Sequence, residues 1–198
     1  GIYGSYHPTF SGNIKNINLL PSKKVNEFWF VTISSYYPHK NLDIINEIVD
    51  ILSDNDIDVK IKFILTLPHD LFIKKFNYNS PLILNVGPVD LKDCPYLYSK
   101  SDALFLPTLV ESFTASYPEA MIMKKPILTS DYQFAKTVCT DSALYFDPYN
   151  INDVVSKIVQ IATDKHLYKK LANRGVVRVK SMPTFLDMTK KYLDICNL

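Results

Sequence analysis

Short apolar segments alternate with helical segments along this chain, and that alternation limits its fold more than any other feature. Phe28–Ile33 is a β-rich apolar run, as expected of a strand that is covered on both faces. Apolar residues then recur at helical spacing from Leu42 to Leu52. Residues 71–77 fit either a short helix or a loop. The pattern predicts further strands over 59–67, 82–86, 103–106, 127–129 and 143–146, and helices over 95–100, 118–124, 134–139, 152–164, 166–180 and 184–196.

Strands that alternate with helices through short loops build parallel β-α-β units. Because such crossovers are right-handed, the expected fold class is α/β, a doubly wound parallel sheet of Rossmann-like type. Residues 1–25 contain scattered Pro, Gly, Ser and Asn without a sustained period, which indicates an irregular lead-in or an inter-domain segment. Residues 26–198 are expected to form the domain, with its ligand site in the loops beyond the carboxyl ends of the strands.

Composition argues against several classes of protein. The chain has 198 residues and a formal net charge of +2, too small to indicate nucleic acid or an anionic membrane as the main partner. It has no run of about 18 apolar residues, and its start lacks the pattern of a signal peptide. Cys94, Cys139 and Cys196 are scattered and odd in number, which indicates neither a disulfide framework nor a metal site. These features favour a reducing cytoplasm.

A polar segment from Glu111 to Glu119 directly follows the predicted strand 103–106. It places two carboxylates eight residues apart, with hydroxyl groups and backbone donors between them, at the entry to a predicted helix. Unpaired N–H groups at such a position favour an anion, of which a diphosphate is the obvious example. Simpler roles stay open, because Glu119 also fits a capping box with Ser116 as N-cap, and Glu111 also fits a solvated loop carboxylate.

Two other loops offer candidate ligand-binding groups at predicted strand ends. The segment Ser34–Leu42 follows the first strand and contains Lys40, a compact point charge suited to phosphate. A surface lysine near a helix start is the ordinary alternative. Gly87 and Pro88 indicate a turn after the strand 82–86, where backbone groups would be placed to read a flat base, and a plain strand-ending turn is equally open.

Taken in order, these segments resemble the C-terminal, donor-binding domain of family 4 retaining glycosyltransferases, which have the GT-B fold. The likeness covers roughly Phe28 to Lys180, and the two glutamates in register with the flanking strands make it fairly specific. It rests on these pieces of sequence: Pro38-His39-Lys40-Asn41-Leu42, Val86-Gly87-Pro88-Val89, Leu106-Pro107-Thr108-Leu109-Val110-Glu111-Ser112-Phe113, Pro118-Glu119-Ala120-Met121, Thr129-Ser130-Asp131 and Tyr145-Phe146-Asp147-Pro148.

The resemblance implies a role for each matching residue. Lys40 matches the lysine that contacts the donor diphosphate, and Glu111 matches the first glutamate, near the donor sugar, which we take as the catalytic position. Glu119 matches the glutamate that binds the ribose hydroxyls, and Val89 lies where the family contacts the base. The other positions expected to bind the donor diphosphate and sugar are Ser35, Ser112, Phe113, Thr114 and Ala115.

Several positions depart from the family pattern. Ser35 stands where the family often has an arginine, so one phosphate cation is missing. Ser112 and Thr114 stand at the two motif glycines, and their side chains narrow the approach of a ligand. Gln133 and Phe134 stand where glycines often follow Ser-Asp. These departures bear on sugar specificity more than on nucleotide binding.

The resemblance implies transfer of a sugar from a UDP- or GDP-sugar to an acceptor hydroxyl with retention, in bacterial surface polysaccharide synthesis. No cofactor or metal is expected, because Lys40 and the loop amides would stabilise the leaving diphosphate. Asp54, Asp56 and Asp58 lack the glycine and distal glutamate of a calcium loop, and we expect a solvated turn there.

The acceptor, a glycan or a lipid-linked sugar, is expected to bind an N-terminal domain that precedes residue 1, so this fragment should bind donor with little turnover. Localisation is expected to be cytoplasmic, with peripheral association at the inner face of the plasma membrane as one option. No nucleic acid partner is expected. Two other functions remain open at this point: a nucleotide-sugar epimerase of the GT-B fold and a non-catalytic α/β binding module.

Overall fold

The computed structural model describes residues 6–55 and 57–196, so that Asp56 of the aspartate-rich turn lies outside the described residues. Six parallel strands form one sheet in the order β3-β2-β1-β4-β5-β6, which confirms the doubly wound α/β class. The strands are β1 (Glu27–Thr32), β2 (Lys60–Leu65), β3 (Ile83–Asn85), β4 (Ala103–Leu106), β5 (Ile127–Ser130) and β6 (Ala143–Phe146).

Eight described α-helices connect and follow these strands. Residues 71–75 of the ambiguous segment 71–77 belong to a helix, in which Phe72 turns into the core and is buried, whereas Phe76 and Asn77 follow the end of that helix. The helices are α1 (Ile44–Asp54), α2 (His69–Lys75), α3 (Cys94–Lys100), α4 (Ser116–Ile122), α5 (Gln133–Cys139), α6 (Ile151–Thr163), α7 (Lys165–Lys180) and α8 (Phe185–Ile195). Short 3₁₀ turns occupy Pro8–Ser11, Pro38–Lys40 and Leu91–Asp93. None of these helices is long and apolar enough to cross a bilayer.

Alternate side chains of β1 build the two faces of the core, as the geometry of a strand requires. Phe28 and Phe30 belong to the cluster that α1 and α6 cover, whereas Trp29 and Val31 belong to the cluster that α3 and α4 cover. On the first face, aromatic rings cross neighbouring strands, with Phe30 stacked on Phe63 at 5.5 Å between centroids. The apolar run in the sequence is therefore a strand that is buried on both sides.

The lead-in is irregular apart from its 3₁₀ turn, and it packs on the second face of the sheet. Phe10 and Leu20 are both buried in the cluster that contains Trp29. The ring of Phe10 meets the ring of Tyr98 on α3 edge to face, with 5.7 Å between centroids. Residues 6–25 therefore contribute to the same hydrophobic core as the strands.

Helices α4 and α7 approach each other closely at a glycine. A Cβ atom at Gly175 would lie 3.2 Å from Cγ of Met121 and 3.5 Å from its Cα atom. A glycine inside a helix costs about 1 kcal/mol relative to alanine, so its presence here is explained by the tight contact.

We expect Gly175→Leu to lower the free energy of unfolding by about 1–3 kcal/mol, because the added atoms push against Met121 and the α4 backbone. Urea denaturation measures the change. Lys170→Leu, at an exposed position of the same helix, is the control and should stay within about 0.5 kcal/mol of the parent. Equal stability of Gly175→Leu and the parent would show that the interface between α4 and α7 is loose.

Candidate functional site

The point where the strand order reverses lies between β1 and β4, which are neighbours in the sheet but not in the chain. After β1 the chain enters α1 on one face, and after β4 it enters α4 on the other. The loops that follow these two strands therefore diverge and leave a crevice at the carboxyl edge of the sheet. A backbone hydrogen bond, from the N–H of Leu109 to the carbonyl oxygen of His39 at 2.8 Å, ties the two loops together.

The structure brings Lys40 and Glu111 together in this crevice. Lys40 ends the 3₁₀ turn after β1, where Asn41 adopts the left-handed conformation with φ of 52° and redirects the chain into α1. The ammonium group of Lys40 pairs with the carboxylate of Glu111 in the loop after β4. The two side chains are only 16% and 15% exposed, so this pair is more shielded than an ordinary surface ion pair.

The loop from Ser112 to Ala115 joins Glu111 to the start of α4. The N–H groups of Ser112, Thr114 and Ala115 donate to no protein acceptor within residues 6–55 and 57–196. The hydroxyl oxygen of Thr114 accepts from the N–H of Ser116 at 3.3 Å, at the first turn of the helix. Backbone donors without partners among the described residues, beside the Lys40–Glu111 pair, suit an anion.

The capping-box interpretation of Glu119 is wrong. Helix α4 begins at Ser116 rather than Pro118, so Ser116 is the first helical residue and Ala115 holds the N-cap position without a side-chain hydrogen bond. Glu119 instead turns inward toward α3, and only 8% of the residue is exposed. The physical reason is that Thr114 supplies the local cap, while the core side of α4 faces the buried hydroxyl of Tyr98.

The carboxylate of Glu119 receives one hydrogen bond from the described residues, from the Tyr98 hydroxyl to Oε2 at 3.2 Å. Burial removes water from the charged form and raises the pKa of Glu119 to about 7, and the Tyr98 hydrogen bond acts against that rise. A buried carboxyl group whose pKa is raised toward neutrality is typical of functional sites.

The structure places Ser35 and Val89 in loops at the carboxyl edge of the sheet and does not join them to the Lys40–Glu111 pair. Ser35 is exposed in the loop after β1, and its carbonyl oxygen accepts from the hydroxyl of Ser34 at 2.9 Å. Val89 is half-buried beyond β3 and packs against the second core cluster, just before the turn that leads into α3. The same helix carries Tyr98, so α3 links the Val89 loop to Glu119.

A cavity of about 360 Å³ lies beside the loop after β4. Its walls include Ser112 and Phe113 from the loop, Phe134 and Val138 from α5, and Arg178 from α7. The guanidinium of Arg178 donates to the carbonyl oxygen of Val138 at 2.8 Å, and therefore stabilises the end of α5. Neither Tyr98 nor Arg178 could be found from the sequence, because each acts through a partner that is distant along the chain.

A doubly wound sheet with charged loop residues at its switch point is the architecture of a nucleotide-binding α/β domain. Comparison with known families narrows this class. Residues 18–177 match the family described as "Glycosyl transferases group 1", and the chain belongs to that family. The family membership inferred from the sequence is confirmed.

Curated relatives point to the same family. The chain is 29% identical over 140 residues to the O-antigen chain mannosyltransferase RfbU of Salmonella typhimurium, with coverage of 64% of this chain and 36% of that protein. It is 27% identical over 95 residues to the O-antigen chain mannosyltransferase B of Escherichia coli, with coverage of 48% of this chain and 25% of that protein. The matches therefore span about a third or less of each relative. None of these comparisons favours the epimerase or the non-catalytic module.

Solved structures share the fold at low sequence identity. A complex of S. aureus TarM with fondaparinux, α-GlcNAc-glycerol and UDP gives a TM-score of 0.73 at 20% identity, over 94% of this chain and 38% of that one. Anabaena HepE in complex with UDP and glucose gives a TM-score of 0.69 at 16% identity, over 87% of this chain and 48% of that one. An α,α-trehalose-phosphate synthase from Burkholderia vietnamiensis gives a TM-score of 0.71 at 9% identity, over 87% of this chain and 44% of that one. These likenesses confirm the expected Rossmann-like fold.

Proposed function

We propose that this chain binds a nucleoside-diphosphate sugar in the crevice between β1 and β4. As part of a longer glycosyltransferase, it would hold the donor while the sugar passes to an acceptor hydroxyl with retention. The observation that carries the proposal is the shielded Lys40–Glu111 pair at the switch point, in a chain of the glycosyl transferases group 1 family.

The diphosphate is proposed to lie against Lys40 and the 112–115 loop. Lys40 would supply an ammonium group, which pairs with Glu111 in this structure, and the N–H groups of Ser112, Thr114 and Ala115 would supply donors that no described residue uses. Donors of this kind, fixed before the reaction, stabilise the charge that develops on a leaving diphosphate. We propose that they do so without a metal ion or other cofactor.

The rest of the donor is proposed to extend away from the diphosphate in two directions. Glu111, already placed beside Lys40, lies toward the sugar and is the proposed catalytic position, with Ser35 and Phe113 contributing to the same donor subsite. Glu119 accepts hydrogen bonds from the ribose hydroxyls, and backbone groups near Val89 contact the base. Helix α3 supports this direction, because it follows the Val89 loop and contacts Glu119 through Tyr98.

The names of the curated relatives support a mannosyl donor and a role in bacterial O-antigen-type polysaccharide synthesis. The acceptor, a glycan or a lipid-linked sugar, would bind a separate N-terminal domain of the longer protein. Because acceptor and donor meet between two domains in such an enzyme, the fragment alone is proposed to bind donor and to turn over little. We propose a cytoplasmic location at the inner membrane face, where lipid-linked acceptors are available.

Isothermal titration calorimetry with UDP, GDP, ADP, UDP-glucose and GDP-mannose tests the proposed function. We expect one nucleotide series to bind with a dissociation constant between micromolar and millimolar. The matching nucleoside, which lacks the diphosphate, should bind at least about tenfold more weakly because it forms no charged hydrogen bonds. Addition of a chelator should leave the affinity unchanged. Folded protein that gives no heat with any of the five compounds would contradict the proposal.

A further inference from the structure

The carboxylate of Glu119 is held from one side only. Tyr98 donates to Oε2, and Oε1 makes no hydrogen bond to any described residue. A buried carboxylate needs several donors to offset its lost hydration, and one neutral hydroxyl does not supply them. Oε1 is not among the described side-chain atoms that are fully buried without a hydrogen-bond partner, so it stays accessible to a ligand that brings further hydroxyl donors.

Tyr98 is fixed in the core independently of Glu119. Its side chain is fully buried, and Phe10 of the lead-in packs against its ring edge to face. Its hydroxyl lies 3.2 Å from Oε2 of Glu119 and 3.4 Å from the carbonyl oxygen of Ser116, both of which belong to α4. Because the ring is fixed, the position of the hydroxyl limits where the Glu119 carboxylate can lie.

We infer that Tyr98 is a positioning residue, which holds the Glu119 carboxylate ready for the ribose hydroxyls of the nucleotide. This inference rests on the proposed donor site and adds a residue that the family resemblance did not supply. A vicinal diol offers two donors, and a carboxylate with one oxygen held by Tyr98 keeps its other oxygen available for them. A purely structural role would be served equally well by an apolar pair of the same volume.

Nucleotide affinity should depend on pH in a way that Tyr98 controls, because its hydrogen bond stabilises the ionised form of Glu119. The other titratable group that faces this carboxylate from α3 is Cys94, whose pKa burial raises to about 11, so it stays neutral near pH 7. Burial also raises the pKa of Tyr98 well above its ordinary value. Glu119 is then the group of this cluster that titrates near neutrality, and loss of the Tyr98 hydrogen bond moves its pKa further upward.

The test is Tyr98→Phe, assayed by calorimetry with the tightest-binding nucleotide from pH 6 to pH 9.5. We expect affinity at pH 7 to fall about tenfold, because a smaller fraction of Glu119 is ionised. At pH 9 the affinity should return to within about threefold of the parent. Tyr96→Phe is the matched control, since Tyr96 is also buried on α3 but its hydroxyl donates to no described residue, and we expect an unchanged profile.

The results of these titrations distinguish the role inferred for Tyr98 from the proposed donor site. An equal loss at every pH, together with a lower melting temperature, would assign Tyr98 a structural role and overturn the inference. An unchanged pH profile in Tyr98→Phe would overturn it as well, while nucleotide binding by the parent would keep the proposed donor site. If the parent binds no nucleotide, both proposals fail. Should Tyr98→Phe not fold, carboxyl ¹³C NMR of the parent decides: saturating nucleotide must lower the pKa of Glu119, and no change would overturn the inference.

Discussion

Glu119→Gln is expected to make the fold more stable above pH 7 and, at the same time, to remove most of its nucleotide affinity. The carboxyl group has a pKa of about 7 in the folded chain against an ordinary value of 4.5. The folded state therefore binds the proton more tightly than the unfolded state does. As the pH rises from about 4.5 to about 7, the unfolded state releases this proton before the folded state does, and the free energy of unfolding falls by up to about 3 kcal/mol. Glutamine does not titrate, so the variant avoids this loss.

Denaturant unfolding at pH 5 and pH 8 measures the first effect. The stability gain of Glu119→Gln should appear at pH 8 and be small at pH 5, where Glu119 is protonated in the folded parent. Calorimetry at pH 8 measures the second effect, and we expect affinity to fall about 10- to 100-fold with loss of charged hydrogen bonds to the ribose. Glu47→Gln, at an exposed position in the first turn of α1, should change neither quantity appreciably.

These two effects in opposite directions distinguish a ligand-binding carboxylate from a structural one. Replacing a residue that stabilises the fold lowers the free energy of unfolding. Replacing a residue that is retained for ligand binding often raises it. If Glu119→Gln is less stable than the parent and binds nucleotide normally, Glu119 is structural and the proposed ribose contact is wrong.

Lys40→Met is expected to weaken nucleotide-sugar binding about 10- to 100-fold, because it removes the one full positive charge assigned to the diphosphate. Calorimetry at two ionic strengths measures the change. Affinity of the parent should fall as salt rises, and the variant should show less of this dependence. Methionine keeps most of the volume of the lysine stem, so packing around the 3₁₀ turn is preserved.

Lys23→Met is the matched control for Lys40→Met. Lys23 pairs with Asp102, and the two side chains are 27% and 26% exposed, compared with 16% and 15% for Lys40 and Glu111. Lys23 and Asp102 precede β1 and β4, so their pair lies at the amino edge of the sheet, away from the proposed site. We expect this variant to bind nucleotide normally. Equal binding by Lys40→Met and Lys23→Met would remove Lys40 from the site.

The fold class could be predicted from the amino-acid sequence alone, because hydrophobic period and strand chemistry are local properties. Phe28–Ile33 had to be a buried strand, and observed β1 differs from it by one residue at each end. The segment 71–77 was different, since its few apolar residues fit two structures. Burial of Phe72 against the sheet decided in favour of α2, and that contact is tertiary.

For the candidate site, residue types could be read from the sequence, but which of these residues meet depends on the folded chain. Lys40 and Glu111 are 71 positions apart in the chain, and only the adjacency of β1 and β4 brings them into contact. The capping box failed because local sequence does not show which side of α4 faces the core, and Tyr98 gave no signal because its partner lies on another helix. Periodicity acts over a few residues and is readable in one dimension, whereas the pairing and burial of charged groups depend on strand order, which only the folded chain defines.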